Sequence, residues 1–394
     1  MKRARPLGLL IVIALAASLV GACGDESGSG SATDGGGSGP AVKANQKLEG
    51  EVKVGLVLPL TGVNATIGAD MKRGVDLALA KINSGDGVLG KKLVPVIEDS
   101  EGNPTETVAA AKKLVNVDHV PVVIGEYSSG NTIPMAQWLN RSKVPLIDVA
   151  SSSAKIGDIG DYVFAVVGFD SLAGKYVAKA MWARGYRKIA FLGPNNDFGS
   201  GLRDAVKEHF QELGGRVISQ TLYTEGESDY RQELQRIQGA HPDAIAITTY
   251  GKDGALIDRE AFELGVTKIP MFGIYLSQDI PDADPKAVEG REGLELNTIG
   301  PGGTEYRKAY QKAYGFDFKT SFNSFAYDAV SIAAAAIDKA GSLDREKLRA
   351  AIDAVGKDYP GVTGSITFGT GGARQEQPYI IAVVKDGKIV PKDQ

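Results

Sequence analysis

The segment VKVGLVLPLTGVNATIGADMKRGVDLALAKINSGDGVLGKKLVPVIEDS, residues 52–100, contains two apolar runs of strand length separated by an amphipathic stretch. The two runs are VKVGLVLPL and KKLVPVIEDS. Between them, apolar side chains recur at helical spacing at Met71, Val75, Ala78 and Ile82. A strand, a helix and a second strand in this order predict a βαβ unit, in which the two strands pair in parallel.

The same alternation continues beyond this unit. The helical pattern PTETVAAAKKLVNV precedes the strand-like PVVIGEY, a helix around residues 133–141 and the strand-like VPLIDVA. The alternation then starts again with KIAFLGPNNDFG and runs through LRDAVKEHFQELGG, RVISQTLY, YRQELQRIQ, AIAITTYGKDG and PMFGIYL. Continuous apolar strands between helices predict a mainly parallel sheet that is covered on both faces. We therefore expect an α/β fold with two doubly wound parallel-sheet lobes.

The C-terminal part of the chain returns to helices and then to strands. Helical patterns cover residues 305–314, 322–340 and 345–355, and the strand-like GSITF and YIIAVV follow them. Pairing these strands with the lobes makes the chain cross between the lobes more than once, which suits a hinge. The expected boundaries are residues 51–168 and 300–372 for lobe 1, and residues 169–299 and 373–394 for lobe 2.

The N-terminus has the layout of an exported lipoprotein. Basic residues precede an uncharged run from Pro6, and small residues lead to Cys23, the only cysteine of the chain. The apolar run over residues 7–20 is shorter than the roughly 20 residues that a membrane-spanning helix needs. VGAC, which ends at Cys23, resembles the bacterial lipobox, so we expect residues 1–22 to be a signal peptide and Cys23 to be lipidated. The alternative is an ordinary secretory signal with an incidental cysteine.

Residues 23–50 are mostly Gly, Ser and other small polar residues, which cannot bury enough apolar surface to fold. They predict a flexible tether. We therefore expect a monomeric folded body outside the cytoplasm, anchored to the cell membrane by an N-terminal lipid. The formal net charge of −4, with no basic cluster beyond the N-terminus, argues against nucleic acid as a partner.

Motifs of catalysis and of metal or cofactor binding are incomplete in this chain. Residues 85–91 match the start of a phosphate-binding P-loop, but Lys92 stands where Ser or Thr should hold magnesium. Residues 152–155 satisfy the serine acylase pattern S-x-x-K, yet S-D-N and K-T-G are missing. No G-x-S-x-G surrounds Ser128 or Ser129, and none of the three histidines has a metal spacing. We expect no cofactor, no metal site and no enzyme activity.

Polar residues follow several predicted strands, at the edge where open α/β sheets bind ligands. Small hydroxyls and free N–H groups at helix starts suit a carboxylate, because a helix N-terminus carries partial positive charge. Each serine alone is as well explained as a helix N-cap. Two such strand ends in succession favour a binding site. The polar strand ends are Tyr127-Ser128-Ser129, Ala150-Ser151-Ser152, Asn195 to Phe198, Tyr250 and Tyr275.

The body resembles the leucine/isoleucine/valine-binding family, the substrate-binding components of ABC importers with the type I periplasmic-binding fold. The resemblance extends over nearly all of residues 51–390, and its motifs keep the family's order and spacing. These motifs are VKVGLVLPLTG, GADMKRGVDLALAKIN, IEDSEGNPTETVAAAKKLV, VIGEYSSGNT, LGPNNDFGSG and AYDAV. The resemblance implies two lobes joined by a three-strand hinge, with a ligand in the cleft between them and an ABC permease as partner.

The resemblance also implies the site residues. Ser129, Ala150 and Ser152 match positions that hold the carboxylate and part of the ammonium of an amino acid. Tyr127 and Ser128 match the pocket wall beside them. The remaining matches are Ile67 on the first loop, and Phe198, Tyr250 and Phe322 as aromatic residues that close over the ligand side chain.

One position departs from the family pattern. Tyr275 stands where branched-chain members place a glutamate that pairs the ammonium, and a phenol supplies no charge at neutral pH. Either Asp253, Asp279 or Glu126 substitutes, or the ligand lacks an ammonium. We expect an aliphatic, branched-chain type of amino acid, with a small carboxylate or amide, such as an aromatic acid, as the alternative. A ligand-sensing protein is a further alternative, which the lack of a following signalling segment disfavours.

Overall fold

The computed structural model describes residues 49–298 and 300–392. The strands are β1 Glu51–Leu58, β2 Lys92–Asp99, β3 Val123–Gly125, β4 Leu146–Asp148, β5 Val163–Ala165, β6 Lys188–Pro194, β7 Arg216–Tyr223, β8 Ala244–Ile247, β9 Met271–Ile274, β10 Glu292–Leu296, β11 Tyr359–Gly361, β12 Gly364–Ile366, β13 Tyr379–Lys385 and β14 Lys388–Pro391. The helices are α1 Ala65–Ser84, α2 Pro104–Asn116, α3 Ser129–Arg141, α4 Asp170–Ala183, α5 Asp197–Glu212, α6 Arg231–Gly239, α7 Gly251–Glu263, α8 Pro285–Val288, α9 Gly303–Tyr314, α10 Phe322–Ala340 and α11 Arg345–Val355.

The first sheet has the strand order β2-β1-β3-β4-β5, and all its strands are parallel. Its central strands are buried on both faces, with Leu56 and Ile124 fully inaccessible to solvent. Helix α2 starts as its sequence predicts, because Pro104 opens it and the Asn103 side chain accepts a hydrogen bond from the backbone N–H of Glu106 at 2.9 Å. The parallel sheet predicted for this part of the chain is confirmed.

The second sheet has the strand order β14-β13-β10-β9-β8-β6-β7. Strands β6 to β10 are parallel to one another, whereas β13 runs antiparallel to β10 and β14 antiparallel to β13. The second sheet is therefore mixed at this edge and parallel elsewhere, which confirms the predicted mainly parallel sheet. Residues 388–391 return beside β13 through a tight turn, which only antiparallel pairing permits.

The chain passes between the two sheets three times, after β5, after β10 and before β13. We call the elements built on the first sheet, together with α9 to α11, lobe 1, and those built on the second sheet lobe 2. Helix α10 crosses α1 so closely that a Cβ on Gly74 would lie 1.9 Å from the carbonyl oxygen of Asn323. The residue limits predicted for each lobe stay a prediction.

The crossing segments are tied together by the buried guanidinium of Arg374. It donates hydrogen bonds to the carbonyl oxygens of Val166 at 3.0 Å and Ser365 at 2.9 Å. Beside it, the N–H of Gly168 donates to the side chain of Gln377 at 3.1 Å. The predicted GSITF strand pairs only with β11 in a separate two-stranded sheet, and joins neither lobe sheet. The contacts of Arg374 and Gln377 with Val166 and Gly168 show that the first and third crossings run side by side.

The predicted signal peptide, Cys23 and the tether up to residue 48 lie outside the described residues. Within residues 49–298 and 300–392, no helix is both long and apolar enough to span a bilayer. The same residues contain no group of three His, Cys, Asp or Glu side chains placed to hold a metal ion.

Candidate functional site

The turn after β3 is held in place by Glu126. The carboxylate of this fully buried residue accepts hydrogen bonds from the Ser100 hydroxyl at 2.6 Å, and from the backbone N–H groups of Tyr127 at 2.8 Å and Ser128 at 2.7 Å. These contacts fix the start of α3 at Ser129, whose first backbone N–H groups have no partner within the helix. Glu126 thus fixes the turn beside the predicted site. Both of its carboxylate oxygens already accept hydrogen bonds from the protein.

Two of the predicted serines lie on facing segments of the site. The Oγ of Ser129 accepts a hydrogen bond from the backbone N–H of Ser153 at 3.1 Å, which leaves its own proton free to be donated. The hydroxyl of Ser152 donates to Oδ1 of Asp170 at 2.6 Å. Ala150 lies between them in the chain, and its N–H donates to the carbonyl of Glu126 at 3.2 Å. The predicted polar residues therefore meet at one place.

Lys155 lies outside this group of serines. Its ammonium pairs with Asp197 at 2.6 Å, and its side chain is 67% exposed. Because the Ser152 hydroxyl donates to a carboxylate and not to this lysine, the S-x-x-K pattern forms no nucleophile and base pair in this structure.

Asp170 is a further candidate site residue, which the sequence analysis did not name. It is the first residue of α4, which packs on β9 and β10 of lobe 2, and it is 1% exposed. Its Oδ1 accepts the hydrogen bond from Ser152, whereas its Oδ2 has no hydrogen-bond partner in the described part of the chain. Burial raises the pKa of this carboxyl well above its usual value, and the Ser152 hydrogen bond only partly opposes that shift. The signal in the sequence was an acid at the start of a helix, shortly after the apolar segment that contains β5.

The unpaired oxygen of Asp170 lies close to helix α5. A Cβ on Gly201 of α5 would lie 3.0 Å from Oδ2, so the helix that carries Phe198 approaches the carboxylate closely. The Ser152 hydrogen bond joins a loop of lobe 1 to a helix of lobe 2. Asp170 therefore lies at the junction of the two lobes.

Aromatic side chains from both lobes form the rest of the site. The Tyr127 ring lies 5.3 Å from the ring of Tyr250 and 5.2 Å from that of Phe322. Phe198 stacks on Tyr250 at 5.5 Å and on Tyr275 at 6.3 Å. Ile67 belongs to the same hydrophobic cluster. The structure thus brings all five predicted aromatic residues and Ile67 into one buried cluster between the sheets.

Tyr275 has a strained backbone. Its φ of 61° lies in the left-handed region, which a bulky aromatic residue rarely adopts. Such strain persists only where the surrounding structure enforces it, and it concentrates at functional sites. The Tyr275 hydroxyl lies 3.4 Å from the hydroxyl of Tyr379, a residue of β13 that the sequence analysis also missed. The third crossing therefore contributes a side chain next to the site.

Asp253 and Asp279, two of the acids considered as substitutes for the missing glutamate, have protein partners. Asp253 accepts a hydrogen bond from the backbone N–H of Gly226 at 3.0 Å. Asp279 accepts one from the Thr249 hydroxyl at 2.8 Å and lies 3.4 Å from the guanidinium of Arg291. Among these acids and Asp170, only Asp170 joins a predicted site residue through a side-chain hydrogen bond.

The lobes also touch at the rim of the site. The Thr66 hydroxyl of α1 donates to Asp282 at 2.8 Å, and Lys155 of lobe 1 pairs with Asp197 of lobe 2. The backbone N–H of Lys252 approaches the carbonyl of Val63 at 3.4 Å. These contacts describe a closed arrangement, in which both lobes contribute to one buried site.

A profile of the family described as periplasmic binding protein matches residues 51–388. The chain belongs to the periplasmic binding protein family. This membership and the fold confirm the predicted resemblance. Because family members are solute-binding proteins of transporters and not enzymes, membership also agrees with the incomplete catalytic motifs. The roles of individual site residues stay predictions.

Relatives of this periplasmic binding protein include the Leu/Ile/Val-binding protein BraC3 of Rhizobium johnstonii, which is 27% identical over 358 residues, or 86% of this chain and 93% of that protein. The solved structure of a leucine-binding protein, LivK, from Thermotoga maritima superimposes with a TM-score of 0.80 at 26% identity and covers 87% of this chain and 98% of its own. A solute-binding protein from R. palustris in complex with benzoate superimposes with a TM-score of 0.79 at 20% identity, covering 87% and 95%.

Proposed function

We propose that this protein captures an α-amino acid of the aliphatic, branched-chain type between its lobes and delivers it to the permease of an ABC importer. The observation that supports this proposal is that hydrogen-bond donors and an unpaired carboxylate oxygen both lie at the junction of the lobes. The start of α3 and the Ser129 hydroxyl offer donors to a carboxylate, and the unpaired Oδ2 of Asp170 offers an acceptor to an ammonium. The carboxylate and the ammonium of a zwitterionic amino acid match these donors and this acceptor.

The charge of the site favours a ligand that brings its own cation. None of the predicted site residues is Lys, Arg or His. The buried cation near Asp279 is Arg291, whose guanidinium is bound by Asp258 at 2.5 Å. A carboxylate without an ammonium would therefore place a second negative charge beside Asp170, which is unfavourable in a buried site.

A small aromatic acid is the second candidate, and the aromatic lining of the site favours it. Tyr127, Tyr250 and Tyr275, with Phe198 and Phe322, offer ring faces to an aromatic ligand. The fold itself does not decide between the two, since the R. palustris relative has the same fold and binds benzoate.

Thermal-shift measurements separate the two candidates. A ligand at 100 times its dissociation constant adds about 2.7 kcal/mol of stability, which raises the melting temperature by several degrees. We expect leucine or valine to stabilise the protein, and 4-methylpentanoate or benzoate to leave it unchanged. Stabilisation by the two acids alone would overturn the amino acid proposal in favour of a small carboxylate without an ammonium.

Replacing Ser129 with alanine tests the carboxylate end of the site. The variant loses one hydrogen bond to a charged group, so we expect the affinity for an amino acid to fall by about 1–3 kcal/mol, or roughly 5- to 150-fold. Calorimetric titration measures this change. The melting temperature without ligand should stay within a few degrees of the wild-type value. An unchanged affinity would remove Ser129 from the site.

The setting of this function is also a proposal. Lipidation at Cys23 and the tether over residues 23–50 would hold a monomeric body next to the permease, outside the cytoplasm. The family's role outside the cytoplasm and the lipobox-like VGAC support this arrangement. Metabolic labelling with a fatty acid should mark the wild-type protein but not a Cys23→Ala variant, and equal labelling of the two would contradict lipidation at Cys23.

A further inference from the structure

Tyr127 carries a buried hydroxyl that has no hydrogen-bond partner. The residue is 2% exposed, and its Oη is one of the few buried side-chain oxygens in the described residues without a partner. The site side chains around it present mainly rings, since the rings of Tyr250 and Phe322 lie 5.3 and 5.2 Å from its own. Buried polar groups in native structures are almost always hydrogen-bonded, so an exception at a ligand site needs a cause.

The surroundings of this hydroxyl favour a donor as its missing partner. Burial raises the pKa of the Tyr127 hydroxyl well above its usual value, and the nearby acids Asp279 and Glu225 add to the effect. Both acids have partners of their own: Glu225 accepts from Asn196 at 2.7 Å, and Asp279 accepts from Thr249. An incoming O–H or N–H would meet a region of negative potential around the Tyr127 oxygen.

A water molecule satisfies this hydroxyl poorly. A buried water needs two to four polar partners, whereas the Tyr127 oxygen has no polar partner among the described residues and its ring packs on two aromatic rings. The head of an amino acid also leaves this hydroxyl unpaired, because the carboxylate and ammonium partners are Ser129 and Asp170. The remaining part of such a ligand is its side chain.

We propose that Tyr127 hydrogen-bonds a polar group on the ligand side chain, and that the preferred substrate is a small amino acid with an uncharged hydroxyl or amide side chain. This inference rests on the proposed capture of an α-amino acid, and it changes the preferred side chain from an apolar one to a polar one of the same shape. Threonine has the branched shape of valine with one methyl replaced by a hydroxyl, and asparagine has the shape of leucine with a terminal amide. The site therefore distinguishes members of each pair through a single hydrogen bond.

Calorimetric titration of the whole exported protein with valine, threonine, leucine and asparagine tests this inference. The protein variants are the wild type, Tyr127→Phe and Tyr186→Phe. Tyr127→Phe keeps the ring and removes only the hydroxyl. Tyr186 precedes β6 and lines a cavity at the opposite ends of the lobe 2 strands, so its variant is a matched control.

We expect wild type and Tyr186→Phe to bind threonine about tenfold more tightly than valine, and asparagine about tenfold more tightly than leucine. A site built to hydrogen-bond a substrate group discriminates against the analogue that lacks it. In Tyr127→Phe both ratios should fall to about one or reverse. Valine binding as tightly as threonine in the wild type, with ratios unchanged in Tyr127→Phe, would overturn the inference and leave the proposed function intact. Failure of all four amino acids to bind would overturn the proposed function itself.

Discussion

Replacing Asp170 with asparagine should lower the affinity for an amino acid by tens to thousands of fold. Asparagine keeps the size of the side chain and an oxygen that can accept the Ser152 hydrogen bond at its present 2.6 Å, but it removes the negative charge that we propose pairs with the ligand ammonium. Truncating one partner of a buried, hydrogen-bonded charge pair costs about 2–5 kcal/mol, and each 1.4 kcal/mol is a factor of ten. Calorimetric titration measures the loss.

Two further results distinguish this role from a structural one. Without ligand, the Asp170→Asn protein should melt at the wild-type temperature or higher, because the unpaired buried charge is removed. The wild-type affinity should fall as the pH falls through the raised pKa of Asp170, since the protonated carboxyl no longer attracts an ammonium. In Asp170→Asn this pH dependence should vanish. A variant that loses stability without ligand but keeps its affinity would contradict the assignment.

Replacing Arg291 with methionine should give the largest loss of stability. Arg291 is 6% exposed, and its guanidinium contacts Asp258 at 2.5 and 3.0 Å and Asp279 at 3.4 Å. Removing the cation leaves two buried carboxylates facing each other, and breaking a buried ion pair costs about 3–5 kcal/mol. Urea denaturation without ligand measures the free energy of unfolding.

Arg307→Met is the matched control for this prediction. Arg307 pairs with Asp317 at 2.6 Å, but both side chains are about half exposed to solvent. Exposed ion pairs contribute about 0–1 kcal/mol, so this variant should lose far less stability. Equal losses in the two variants would show that the buried cluster contributes no more than a surface pair.

Much of the fold is predictable because most strands are continuous apolar runs between clear helical patterns. The missed strands are those where this pattern fails. Strand β5 follows β4 without an intervening α-helix, since only a 3-10 turn over Ala154–Asp158 links the two, so it falls outside the alternation of strands and helices. Strand β10 contains Glu295, a buried acid that accepts a hydrogen bond from the backbone N–H of Ser277 at 2.7 Å. A charge that is satisfied by a distant segment cannot be recognised from its own neighbours in the sequence.

The residues of the candidate site also fall into two groups, those that the sequence pattern indicates and those that it does not. Ser129 and Ser152 were predictable, because each follows an apolar strand where parallel sheets bind ligands. The aromatic residues were placed by the family resemblance. Asp170 and Tyr379 were missed, because their partners are set by the way the crossings bring the two sheets together. Tyr379 meets Tyr275 across more than a hundred residues of sequence, a pairing that no local pattern encodes.

The hydrogen bond between Ser152 and Asp170 joins the lobes at the point where the ligand head would be held. A solute that arrives while the cleft is open therefore meets only half of its final partners, and engages the rest as the halves come together. The solute leaves in the reverse order, after the two lobes have separated. The residence time of the bound solute is thus governed by the frequency of reopening, and a permease that pulls the halves apart would release its cargo without competing for it.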